Sequence, residues 1–189
     1  TKRGLNQFSD GRSIPYTTAE GLPSNETGPV LQDSAGVIWA GTLDAGLAHF
    51  DGRRFAKFTA ADGLPSNVLR ALVEDAEHAL WVGTNRGLAR LQNGRIVRHY
   101  TTADGLPSSD IRNLFRDRTG GIWVGTMSGL AALSGGHFDI PPGSPRREIR
   151  ALGQDRDGNI VVGTEDGFHI QRQGLFQPLT QDGLYMRNA

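Results

Sequence analysis

Arginines recur at one register of this chain, as Arg70, Arg112 and Arg150, with Gly28 at the same place in an earlier copy. Guanidinium groups gathered at one height would clamp a carboxylate or sulfate through paired, charge-assisted hydrogen bonds. The competing reading has each neutralised by Asp62, Asp104 or Glu148, because ion-pair networks also arise away from sites. A second series, Asp33, Asp75, Asp117 and Asp155, has the chemistry of an acid catalyst or a calcium ligand. Each precedes a tight turn, however, and one carboxylate per repeat is too sparse for a working pair. These aspartates are expected to accept backbone N–H groups of the turn. For a lyase or hydrolase the raw material would be Glu165, Asp166, Asp44 and His137, and no spacing marks them. His49, His99 and His169 likewise lack metal-ligand spacing, and the chain has no Cys for a thiolate or a disulfide. No catalytic residue, metal or cofactor is therefore assigned.

The elements that must hold these residues follow from a repeat. Gly-Leu-Pro stands at residues 21, 63 and 105, and Trp at 39, 81 and 123, so every step is 42 residues. A period of about 40 to 45 residues filled with short strands is the mark of a β-propeller, one repeat per four-stranded blade. In the repeat from Ser66 to Pro107, strands are predicted over 67–74, 80–84, 88–91 and 96–100, and Asn93-Gly94 is a hairpin dipeptide. Thr101 to Pro107 crosses to the next blade. The fold class is all-β, with a partial blade at 1–23 and blades at 24–65, 66–107, 108–145 and 146–189. The last copy is irregular: Val161 replaces Trp, and Pro141-Pro142-Gly143-Ser144-Pro145 replaces the Gly-Leu-Pro crossing. Asp182-Gly183-Leu184 restores the motif. Because Thr1 aligns with Thr84 in mid-repeat, the chain reads as a fragment of a longer propeller, a partial one whose open ends should lower its stability.

Within this frame the tryptophans are expected to fill the wedge between blades. His78 stands where other copies have Gly36, Gly120 and Gly158, and is expected at positive φ. Composition is that of an ordinary globular protein, 37% hydrophobic, with 20 basic residues balancing 20 acidic ones. That balance gives no field for nucleic acid or a membrane surface, and no apolar run is long enough to span a bilayer.

Asp33…Gly36…Trp39-Ala40-Gly41-Thr42, Asp75…Trp81-Val82-Gly83-Thr84 and Asp117…Gly120…Trp123-Val124-Gly125-Thr126, each followed by Gly-Leu and the first two then by an Asp-Gly-Leu-Pro crossing, resemble the two-component-regulator propeller repeat. The resemblance implies the extracytoplasmic sensor propeller of a bacterial hybrid histidine kinase or a related receptor. It implies a non-catalytic segment in the periplasm, with a small-molecule or glycan ligand, no nucleic acid, membrane attachment only through flanking segments, and receptor homodimerisation as a possible partner mode. A propeller lyase or hydrolase and a protein-interaction scaffold are the alternatives. Residues that vary between copies on a fixed frame are where recognition is expected. These lie in the second-to-third-strand turns, which include Lys2-Arg3, Asp44, Asn85, Arg86, Ser128, Glu165 and Asp166, joined by Arg70, Arg112 and Arg150. The irregular stretch from Pro141 to Arg150 is the expected place for a functional departure.

Overall fold

The computed structural model describes residues 3–179; Lys2 and the Asp182-Gly183-Leu184 motif lie outside the described residues. A hairpin, β1 (Leu5–Ser9) and β2 (Arg12–Tyr16), is followed by four antiparallel four-stranded sheets. These are β3 (Thr27–Gln32), β4 (Ile38–Thr42), β5 (Leu47–Phe50) and β6 (Phe55–Phe58); then β7 (Leu69–Glu74), β8 (Leu80–Thr84), β9 (Gly87–Gln92) and β10 (Arg95–Tyr100). The third holds β11 (Ile111–Arg116), β12 (Ile122–Thr126), β13 (Gly129–Ser134) and β14 (His137–Asp139). The fourth holds β15 (Ala151–Gln154), β16 (Ile160–Thr164), β17 (Gly167–Arg172) and β18 (Leu175–Pro178). Each sheet is a meander in sequence order, the pattern of a propeller blade. The chain divides into two compact units, Thr1–His99 and Tyr100–Ala189.

Each turn of the repeat has its own chemistry. Between the first and second strands, Asp33 Oδ1 accepts from the amides of Ala35 and Val37, and Asp75, Asp117 and Asp155 repeat the arrangement at 2.9 Å. His78 closes its turn at φ 61°, where Gly36, Gly120 and Gly158 lie at 85°, 92° and 91°. Between the second and third strands, the Thr of each Gly-Thr pair donates Oγ1–H to the carbonyl of Gly46, Gly87, Gly129 or Gly167. Asn93-Gly94 and Asp10-Gly11 both carry the paired positive φ of a type I′ hairpin.

The crossing is more ordered than an irregular loop. Thr17, Thr59 and Thr101 cap short 3₁₀ turns (Thr18–Glu20, Ala60–Asp62 and Thr102–Asp104) in reciprocal capping boxes with Glu20, Asp62 and Asp104. Gly21, Gly63 and Gly105 end them in the left-handed region. Ser24, Ser66 and Ser108 then accept from the amide two residues on. Asn25 and Asn67 accept from the first residue of the 3₁₀ turn through Oδ1, and from Gly4 and Gly46 through their backbone carbonyls. The Gly-Leu-Pro-Ser-Asn phrase thus ties one blade to the hairpin or blade before it.

In the first unit, Trp39 packs with Leu47, Leu64, Leu69, Leu80, Val82 and Leu91, joining the first blade to the second. In the second unit, Trp123 packs with Ile149, Ile160, Val162 and Phe176, joining the third blade to the fourth. The glycine two residues after each Trp permits this approach. A Cβ on Gly41 would stand 2.9 Å from Leu69 Cβ, and one on Gly125 would stand 2.7 Å from Ile149 Cγ2. The tryptophans are core, as their register requires.

Candidate functional site

The aspartate series proves to be structural in a second way. While Oδ1 organises the turn, Oδ2 of Asp33, Asp75 and Asp117 accepts the indole N–H of Trp39, Trp81 and Trp123 at 2.7, 2.8 and 2.7 Å. A ring driven into the core must satisfy its N–H, and the carboxylate six residues earlier does so. Where the fourth copy has Val161, Asn159 Nδ2 donates to Asp155 Oδ2 at 2.9 Å in the indole's stead. Burial tends to raise the carboxyl of Asp75, but the Ala79 amide, the Trp81 indole and the Arg90 guanidinium outweigh it and hold the group below the usual range. At Asp117 burial is likewise outweighed, there by the Thr119 hydroxyl, the Trp123 indole and the amides of Gly121 and Thr119. These carboxylates are committed to the frame.

Arg70 and Arg112 lie at register shifts, between Leu69 and Ala71 and between Ile111 and Asn113, where β7 and β11 each carry an extra residue against their partners. Such a bulge re-aims the extra side chain. Gly28 in the first copy, beside the shift between Thr27 and Val30, was the sequence's hint of it. Arg150 stands just before β15 and donates its amide to the Gly163 carbonyl at 2.8 Å.

In the second unit these positions form a charged cluster. Arg112 contacts Asp110 at 3.3 Å and Glu148 at 3.4 Å, and Arg150 contacts Glu148 and Glu165, each at 3.5 Å. Arg147 reaches both Glu165, at 3.6 Å, and Asp166. Glu148 thereby links Arg112 to Arg150, and the Glu165-Asp166 turn closes the group from the other side. Of the suggested neutralising partners Glu148 acts as expected. Asp62 and Asp104 instead accept from Thr59 and Thr101 three residues back, a partner fixed by the 3₁₀ turn. Sequence reasoning missed Arg147, whose place is held by Asn25, Asn67 and Ser109 in the other copies, and Asp110, although acids recur there as Glu26 and Glu148.

The cluster is only partly satisfied. Asp110 Oδ1 is shielded from solvent without a hydrogen-bond partner, and Arg112 Nε faces Glu148 Oε1 at 3.4 Å as an ion pair without hydrogen-bond geometry. The side chains of Arg147, Arg150, Glu165 and Asp166 are about half exposed, at 47–57%. Ser128 lines a depression of about 200 Å³ in the same unit, with Pro107, Gly129, Ile140, Pro145 and Arg146. The site therefore offers guanidinium donors and carboxylate acceptors at a solvent-facing surface, suited to a ligand that bears both kinds of group.

The other candidates occupy the first unit. Asp44 lies in the turn after β4, where the Thr42 hydroxyl accepts from the amide of Ala45. Arg86 sits in the corresponding turn after β8, its amide bonded to Thr84 Oγ1, and the Asn85 amide donates to the Val68 carbonyl. Asn85 Oδ1 is buried without a partner, and Arg70 is exposed on β7. Equivalent bonds, Leu43 N–H to Glu26 and Met127 N–H to Asp110, join these turns to the crossing end of their own blades. Of the residues considered for catalysis, His137 pairs with Asp139 at 3.0 Å, while Glu165 and Asp166 are engaged by arginine. Among the described residues no group of three His, Asp or Glu side chains is placed to hold a metal ion, and no helix is long and apolar enough to cross a membrane.

A family model described as two component regulator propeller matches residues 63–86 and 105–128. No curated protein sequence matches the chain. Among solved structures, the extracellular domain of a protein described as a hybrid two component system from B. thetaiotaomicron is similar over 98% of this chain and 26% of its own, at 22% identity and a TM-score of 0.78. Virginiamycin B lyase from Staphylococcus aureus is similar over 93% of this chain and 62% of its own, at 14% identity and a TM-score of 0.71. PorZ of Porphyromonas gingivalis, a component of the type-IX secretion system, is similar over 92% and 30%, at 15% identity and a TM-score of 0.64. At these identities the likeness shows the β-propeller fold alone. The chain spans 26–31% of the length of the B. thetaiotaomicron domains.

Proposed function

With two of its repeats matched by the two component regulator propeller model, we propose that the chain is the recognition segment of an extracytoplasmic bacterial receptor, non-catalytic, and that it binds an anionic oligosaccharide. The observation that carries this reading is the charged cluster of Arg112, Arg147 and Arg150 with Glu148, Glu165 and Asp166. It is built where the repeat departs from its own pattern, and such departures on a rigid frame are where function resides. Half-exposed ion pairs add little stability, so their partners are readily exchanged for a ligand's. Sugar hydroxyls need acceptors and acidic sugars need cations, and the cluster presents both. Support for a binding role over acid–base chemistry comes from the arginine engagement of Glu165 and Asp166.

Isothermal titration calorimetry against a panel of acidic and neutral oligosaccharides tests the reading. An acidic glycan should bind, binding should weaken with added salt, and Arg147→Ala/Arg150→Ala should lower affinity by at least tenfold, roughly the effect of losing a central arginine contact. The glycan should be recovered uncleaved. Unchanged affinity in the double variant, or turnover of the glycan, would contradict it.

A further inference from the structure

In the first unit the β1–β2 hairpin and the sheet β3–β6 enclose an apolar cleft of about 770 Å³. Its lining can be compared with a solved problem inside the same chain, the seat of Trp39. There the ring belongs to a core cluster that includes Leu80 and Leu91 of the second blade and Leu47 of its own, with Leu72, Ile96 and Phe58 packed against that cluster. One repeat earlier, those places are held by Val30, Ile38, Phe50, Phe55, Leu5 and Tyr16, and all six line the cleft. Pairing confirms the equivalence: Ile38 faces Phe50 as Leu80 faces Leu91, and Leu5 faces Tyr16 as Leu47 faces Phe58.

The edge of the hairpin agrees. β1 corresponds to β5 and pairs with β2 on one side. In the blades the other edge of that strand receives the Trp-bearing second strand, with Trp39 opposite His49 and Trp81 opposite Arg90. The residue of β1 at that register is Gln7, which also lines the cleft. Val30, 53% exposed, and Phe8, 81% exposed, give the region an apolar face beyond what a soluble sheet ordinarily shows.

We propose that this cleft is a tryptophan socket, which takes the Trp-bearing first-and-second-strand pair of one further repeat of the same type, laid along the β1 edge not paired with β2. Backbone bonds to β1 would supply the register and the indole the anchor, the general mode of strand addition. The required sequence is the chain's own: an Asp ending the first strand and a Trp six residues later, so that the indole N–H arrives already satisfied.

The probe is a synthetic peptide of residues 67–84, titrated into the methyl-labelled protein and followed by NMR. Saturable shifts at Leu5, Val30 and Ile38 are expected. The Trp81→Ala peptide should bind about tenfold more weakly or worse, as for loss of an aromatic anchor. Val30→Asp in the protein should weaken binding as much while leaving its melting temperature nearly unchanged, since the side chain is half exposed. Because a free peptide can resist strand formation, the same segment fused ahead of residue 1 gives a second readout. It should raise the melting temperature by a few degrees, and Trp→Ala in the fused copy should abolish the gain. Equal binding of the Trp81→Ala peptide, shifts located elsewhere, or a fusion that is no more stable than its Trp→Ala form would each overturn the proposal.

Discussion

At the scale of residues, the unit that repeats most faithfully is a carboxylate with two duties. Asp75 ties its own turn through one oxygen and receives the Trp81 indole and Arg90 through the other, while Arg90 lies 5.7 Å from the centre of the Trp81 ring. With its folded pKa held below the unfolded value, ionised Asp75 contributes stability above the ordinary carboxylate range, and that contribution is lost as pH falls through the folded pKa. Asp75→Asn exchanges an acceptor oxygen for a donor facing the indole, at a cost of about 1–3 kcal/mol near neutrality. Urea midpoints of the two proteins should differ clearly at pH 7 and approach each other near pH 3. A gap independent of pH would show that the charge has no part in it. The turn-binding half of this role was legible in the sequence, because an Asp can reach amides two and four residues on. The indole half was not, because it depends on where the next strand folds back.

At the scale of elements, the crossing shows how one motif can meet different surroundings. Gly63 and Gly105 hold nearly the same backbone, φ 101° and 96°. A Cβ on Gly63 would meet Ile96 Cδ1 at an ordinary 3.6 Å, while one on Gly105 would press into the Phe138 carbonyl oxygen at 1.9 Å. Gly63→Ala should therefore cost only the left-handed backbone penalty, about 1–2 kcal/mol. Gly105→Ala should cost at least ~3 kcal/mol, because strand β14 must shift. Chemical denaturation of the two variants decides it, and equal losses would mean that backbone conformation alone matters. The strands, their turns and the glycine were readable from spacing. That the crossing contains a capped 3₁₀ turn was also written there, in the Thr-x-x-Asp or Thr-x-x-Glu directly before each Gly-Leu-Pro.

At the scale of the whole molecule, each unit couples two neighbouring blades, as in repeat proteins generally. Trp39 makes its core contacts within the first unit, and Trp123 within the second. Trp39→Ala, a loss of about 3–5 kcal/mol where it packs, should raise hydrogen exchange in β3–β9 while β11–β18 keep most of their protection. Trp123→Ala should give the reverse. Uniform loss of protection in both variants would show one cooperative unit in place of two.

By itself the sequence determined the architecture. The strand lengths, the turn aspartates and His78 at positive φ rest on interactions within a few residues, which covalent geometry and steric rules constrain directly, and the 42-residue step carries the burial of the tryptophans by repeating one register. Only the tertiary structure decided which groups meet: Asn159 standing in for an indole, Arg112 and Arg150 sharing Glu148, Arg147 joining them from an irregular loop, and the hairpin and first blade enclosing a cleft with the lining of the Trp39 seat. A side chain's partner across strands or blades depends on bulges and on how separate segments pack, and a local pattern carries no record of that.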